Sequence, residues 1–269
     1  MSRSMVLLVL MGLAYPPAAE ARDGHPLQRT DPLFLGVEAG MSAALFGATY
    51  LIPAPDACRW CGTNPFDRGL RSAFLASSPR TAGLASDVMA FGITTATGLT
   101  GVMVPAFLGH RKWDALENVI IAMDATLVTL AIHRGVKVSV ARRRPAVVYG
   151  DGDGMPASEE NVSFFSGHTA LAFSVAASTT TVAFLRGYKI APYLAAGTGG
   201  MALTAGILRI SADAHWGSDV LVGMCVGTAI GVLAPLLLHA RKGAVAQDSV
   251  SVAPMIGSDA SCIMLTWPL

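Results

Sequence analysis

Charge is what this 269-residue sequence lacks. Only 14% of its residues are Asp, Glu, Lys or Arg, against roughly 25% in an ordinary soluble domain, too few to coat a water-soluble globule. A surplus of one sign is missing too. The 19 basic and 18 acidic residues leave a net charge of +1, without the dominant basic surface that a nucleic-acid partner requires. Four cysteines are too few for a disulfide framework, and no internal repeat is evident. What abounds is apolar: 52% hydrophobic residues and a mean hydropathy of +0.52, in long runs that exclude intrinsic disorder. The expected class is an all-α integral membrane protein.

Uncharged runs cover residues 88–108, 169–185, 190–208 and 220–238, each close to the roughly 20 residues a spanning helix needs. A fifth, 118–132, is apolar apart from Asp124. A sixth, 39–55, is rich in Gly and Ala, which suit close helix packing in lipid. The expectation is a helical membrane bundle of about five or six transmembrane helices. At the start, Arg3, an apolar stretch from Met5 to Tyr15 and Ala19-Glu20-Ala21 read as a signal peptide over residues 1–21, with an uncleaved anchor as the alternative. The tail, 243–269, has no assignment.

Short loops set the orientation. His110-Arg111-Lys112, Arg186 with Lys189, and His239 with Arg241 and Lys242 share one face if the later segments alternate, and that face is expected to be cytoplasmic. Residues 137–168 and 209–219 then face outward, into the periplasm if the setting is a bacterial inner membrane. A cleaved leader followed by six crossings gives the opposite sense. Either 39–55 does not fully cross, or the first segment is not a signal.

Three polar clusters fall at the outward helix ends: Lys137 with Arg142, Arg143 and Arg144; Ser163 with Ser166-Gly167-His168; and Arg209 with Asp213, His215 and Asp219. Cations, hydroxyls, two imidazoles and a carboxylate suit phosphoryl transfer, where catalysis is mainly positioning and charge stabilisation. His215 and Asp219, four apart, share a helix face, so the carboxylate is expected to orient the imidazole and raise its pKa. Ser166-Gly167-His168 opens an apolar helix whose free N–H groups favour an anion. Lys137, Arg144 and Arg209 supply donors for phosphate oxygens. By themselves, Arg142, Arg143 and Arg144 also fit a topology or lipid-headgroup signal, although on an outward face they run against the positive-inside preference.

In these motifs the sequence resembles the type 2 phosphatidic acid phosphatase superfamily, which includes bacterial acid phosphatases and vanadium haloperoxidases. The pattern Lys-x6-Arg-Pro is matched by Lys137, Arg144 and Pro145. Pro-Ser-Gly-His is matched by Ser166, Gly167 and His168, with Phe165 in place of proline. Ser-Arg-x5-His-x3-Asp is matched by Arg209, His215 and Asp219, with Leu208 in place of serine. The resemblance spans residues 32–242. It implies a metal-independent phosphatase with no cofactor, acting on a lipid phosphate monoester or diphosphate through a phosphohistidine. His215 would be the nucleophile, Asp219 its orienter and His168 the acid and then base. Lys137, Arg144, Ser166, Gly167 and Arg209 would bind phosphate. Membrane lipids are the implied partners; the oligomeric state is not implied. Two alternatives share these residues: vanadate-dependent halide oxidation in the same pocket, and non-catalytic binding of anionic lipids by Arg142, Arg143 and Arg144.

Other residues have readings of their own. Cys58 and Cys61, in an outward loop, are expected to form a local disulfide; Cys225 reads as a small packing residue, and Cys262 has no reading. Asp124 is expected to find a buried hydrogen bond. His133 and Arg134 lie near the rim of the site. Phe164, Phe165 and Trp216 are candidates for an apolar lipid entry, and Asp151, Asp153, Glu159 and Glu160 for selecting the headgroup.

Overall fold

The computed structural model describes residue 27, residues 30–151 and 155–240, and the backbone of 251–256 and 261–266. The expected leader, 1–21, and Asp153 lie outside the described residues. Helix α1, Pro32–Ala48, starts where Asp31 accepts the Leu33 N–H at 2.8 Å and Pro32 fills the first position. It tightens into a 3₁₀ turn over Thr49–Leu51. Helix α2, Pro65–Phe74, is capped by Asn64. Next, α3 (Pro79–Asp87), a π-helical segment (Val88–Thr94) and α4 (Thr95–Leu108) follow one another as a single rod. Then come α5 (Lys112–Val140), the short α6 (Pro145–Tyr149) and α7 (Ala157–Glu160), and the long α8 (Gly167–Leu185), α9 (Ala191–Ser211) and α10 (Gly217–His239). The tail adds two antiparallel strands, β1 (Ser251–Ile256) and β2 (Ser261–Thr266).

Among the described residues, five rods are long and apolar enough to cross a bilayer: Pro32–Leu51, Pro79–Leu108, Lys112–Val140, Gly167–Leu185 and Gly217–His239. The protein is therefore a multi-pass membrane protein, and residues 39–51 of the run at 39–55 belong to a helical rod of full spanning length. Helix α9 matches the others with 21 residues, but its glycine-rich middle leaves it less apolar. Leu33, Leu108 and Leu237 are each at least 76% exposed, as side chains facing lipid are. Cys225 is exposed on α10, so it points out of the bundle rather than packing within it.

Helix α8 lies at the centre, against α5, α9 and α10. Its contact with α10 is backbone on backbone. A Cβ at Gly223 would stand 2.7 Å from the Ser166 carbonyl oxygen, and one at Gly227 only 2.3 Å from that of Ala170. Glycines four apart make that approach sterically possible, and it brings the N-termini of α8 and α10 together: Ser166 N–H donates to the Asp219 carbonyl at 3.0 Å. At the other face, Arg186 pairs with Glu117 at 2.5 Å, His239 with Glu38 at 3.3 Å, and Thr30 N–H donates to Glu117 at 2.6 Å. Residue 30 thus shares a face with the basic 186–189 loop, and the three motifs occupy the opposite one.

Candidate active site

Lys137 lies in the last turn of α5, which closes at Ala141 in the left-handed conformation (φ 49°). That turn sends residues 142–144 back across the helix ends. Arg144 then spreads its guanidinium over three acceptors: the Glu159 carbonyl at 2.7 Å, the Glu159 carboxylate at 2.5 Å and the Ala214 carbonyl at 3.1 Å. Lys137 reaches the same carboxylate at 3.5 Å. Burial alone would push the Glu159 pKa up, but Lys137 and Arg144 outweigh it and hold the acid below its ordinary value. The structure therefore makes Glu159 an internal counter-ion of these two cations.

A second carboxylate plays the same part on the facing side. Asp87, at the end of α3, meets His168 Nε2 at 2.7 Å and Arg209 at 3.5 Å. The π-helical segment that follows places Phe91 edge-on to the His168 ring, with centroids 4.8 Å apart; such segments are frequent at functional sites. Beside Glu159 opens a cavity of about 360 Å³, lined among others by Arg80, Arg144, Glu159 and Arg209.

His215, just before α10, is 3% exposed. Its Nδ1–H donates to the Ser163 carbonyl at 2.7 Å, since a carbonyl can only accept. That bond fixes the tautomer and leaves the Nε2 lone pair free. Asp219 is farther from the ring, 3.8 Å. Its carboxylate is engaged by Ser163 Oγ at 2.5 Å, by the Trp216 N–H at 3.0 Å and by Arg142. The carboxylate thus acts on the imidazole through Ser163 rather than by direct contact. The expected rise in the His215 pKa does not occur: burial, and then Arg144, Arg209, Lys137 and His168, push it well below its ordinary value.

All eight residues anticipated from the motifs gather at this face, but two have other partners. Ser166 Oγ is buried and accepts from Thr169 at 2.9 Å. Gly167 lies under the His133 ring, where a Cβ would come within 2.6 Å of Cε1. Its missing side chain is therefore needed for packing as well as for any anion. Three further expectations are corrected. Phe165 and Trp216 are 2% and 1% exposed and belong to the core, so they line no lipid entry. His133 is buried against Phe165 rather than at a rim. Arg142 is fully buried, bonded to Asp219 and Asp67, and so faces the interior rather than a lipid-headgroup surface. Cys58 and Cys61 form the expected disulfide, and Asp124 faces Ser42 and Glu38 of α1. Motif reasoning missed Asp87 and the roles of Ser163 and Arg142. The one hint in the sequence was an acid immediately before the apolar run at 88.

A helical membrane protein with a buried cluster of cations and two imidazoles at one face is the class defined by this geometry. Residues 118–242 match the sequence model of the PAP2 superfamily, and this segment, which carries all three motifs, belongs to that superfamily. The chain is also similar to the first transmembrane PAP2 type phosphatidylglycerolphosphate phosphatase from Bacillus subtilis, known from a crystal structure. Identity is 19%, over 75% of this chain and 90% of that one, with a TM-score of 0.37. Among curated proteins none matches. Asp87 lies outside the matched segment.

Proposed function

We propose that the protein is a membrane phosphatase that hydrolyses a lipid phosphate monoester or diphosphate through a phosphohistidine, without a metal. The observation that carries this reading is the gathering of Arg144, Arg209, Lys137 and His168 around buried, neutral His215. In the first step the His215 Nε2 lone pair forms the N–P bond. The P–O bond to the leaving group breaks, and the released oxygen takes a proton from His168. In the second, His168 removes a proton from water, the water oxygen bonds phosphorus and the N–P bond breaks. The three cations stabilise charge on the equatorial oxygens throughout. A phosphate dianion entering the cavity takes over the donors now held by Asp87 and Glu159.

The site lies at the ends of membrane-length helices, where a lipid phosphate stays anchored while its headgroup reacts. The basic face opposite supports a periplasmic site in a bacterial inner membrane. Residue 30 lies on that same basic face.

The test is phosphate release in detergent from phosphatidate, phosphatidylglycerophosphate and undecaprenyl diphosphate, with and without EDTA. Release should survive EDTA and fall about a thousandfold or more in His215→Ala. A wild-type rate in that variant, or strict magnesium dependence, overturns the proposal.

A further inference from the structure

The three consecutive arginines differ in their surroundings. Arg144 faces the cavity, whereas Arg142 is fully buried on the far side of Asp219. One arm of the Arg142 guanidinium binds the Asp219 carboxylate and Ser218 Oγ, the latter at 2.8 Å. The other binds Asp67 of α2 at 2.6 Å. Asp67 is itself fixed, accepting from Ser218 N–H at 2.8 Å and from Asn64 at 2.7 Å. The Trp60 ring lies 3.8 Å from the Arg142 guanidinium carbon, held there by the loop that the Cys58–Cys61 disulfide closes. Trp60 N–H donates to the Ala141 carbonyl at 3.4 Å, and the Trp60 carbonyl accepts from Arg143 N–H at 3.1 Å. Asp67 and Trp60 both lie outside the segment that matches the superfamily.

Two carboxylates around one buried guanidinium leave a net negative charge, and desolvated charges hold their geometry only where each is bonded. Asp219 is drawn toward Arg142 and stays 3.8 Å from the His215 ring. We propose that Arg142, anchored by Asp67 and covered by Trp60, is a positioning residue that withholds Asp219 from His215. The Ser163 carbonyl, not the carboxylate, then accepts the hydrogen bond from Nδ1–H. His215 remains neutral and nucleophilic at rest. When Nε2 bonds phosphorus the ring keeps its Nδ1 proton and becomes positive, and the carboxylate close by stabilises that charge without ever having paired with the ring. The proposal rests on the phosphohistidine reading above.

The experiment compares the pH profile of kcat/KM for wild type, Arg142→Gln and Arg142→Lys with one lipid phosphate, whose own ionisation is common to all three and cancels. The charged and titratable groups facing His215 are Arg144, Arg209, Lys137, His168 and Asp219; only the hold on Asp219 changes. Arg142→Gln frees the carboxylate to close on the imidazole and favours the protonated ring by one to three pKa units. The ratio of variant to wild-type kcat/KM should therefore fall about tenfold or more from pH 8 to pH 5, with KM at pH 8 within about twofold. Arg142→Lys keeps a cation in reach of one carboxylate and should show a smaller fall; it carries the test alone if the glutamine variant does not fold. A pH-independent ratio in the folded variants overturns the proposal. Acid-labile labelling of wild-type His215 by radioactive lipid phosphate is scored separately. Its absence sinks the phosphohistidine reading itself, whereas labelled wild type with a flat ratio sinks only the role of Arg142.

Discussion

Asp87 stands 2.7 Å from His168 Nε2, and around the ring stand Arg209, Arg144 and Lys137. Repulsion from three cations opposes a positive ring, yet a general acid must carry its proton when the leaving group departs. Asp87 offsets that repulsion. In Asp87→Asn the oxygen remains and the charge goes. Turnover of an alkyl phosphate, which needs proton assistance, should fall about tenfold, the equivalent of one pKa unit. Turnover of p-nitrophenyl phosphate, whose leaving group departs unprotonated, should change by less than about threefold. Equal losses on the two substrates would remove Asp87 from the acid step. The same dependence on leaving group should appear, more strongly, in His168→Ala.

Among the elements, α8 and α10 decide whether the two imidazoles meet at all. His168 opens one helix, His215 precedes the other, and the glycines at 223 and 227 let their backbones touch. The close contact at Gly227 meets the Ala170 carbonyl rather than a side chain that can turn aside. Gly227→Ala should therefore part the helices and cost about 1–3 kcal/mol, read as a lower unfolding midpoint in detergent. Activity should fall further than stability, because a shift of about 1 Å at the site costs catalysis disproportionately. Unchanged stability and activity would contradict the contact. The helices themselves were legible in the sequence: each apolar run at 88–108, 118–132, 169–185 and 220–238 lies within a helical segment of the structure, and the run at 190–208 does so from Ala191 onward. What the runs did not reveal was the π-helical stretch at Val88–Thr94, since uniform apolarity carries no signal of register. Nor did they reveal Asp67 and Arg142 as partners, because a contact across 75 residues of sequence leaves no local pattern. The motif residues were legible because phosphate chemistry restricts which side chains serve, and the spacing within each motif is local. Their counter-ions were not, since any acid on any neighbouring helix fills that need.

For the molecule as a whole, buried His215 links folding to pH. Its folded-state pKa is pushed down by burial and by neighbouring cations, while in the unfolded chain a histidine titrates near 6.5. The unfolded state therefore takes up a proton that the folded state refuses. This contribution is complete above about pH 6.5 and is lost as the pH falls below it, by about 1.4 kcal/mol per unit until the folded value is reached. Glu159, held below its ordinary value by Lys137 and Arg144, adds a loss in the same direction at lower pH. Unfolding midpoints should be flat from about pH 8 to 6.5 and decline from there to pH 5, with a shallower decline in His215→Gln. A midpoint that rises on acidification would contradict the burial of a neutral ring.

Leu27 and Ala240 form an antiparallel backbone bridge at the face away from the site. The bundle thus begins and ends at neighbouring points, like a loop of thread with its two ends knotted side by side. Membrane insertion can lay down every helix in order and still bring the first and last into register. A chain whose beginning and end were exchanged by a short linker, and which was reopened between Gly109 and Arg111, would trace the same path through the bilayer.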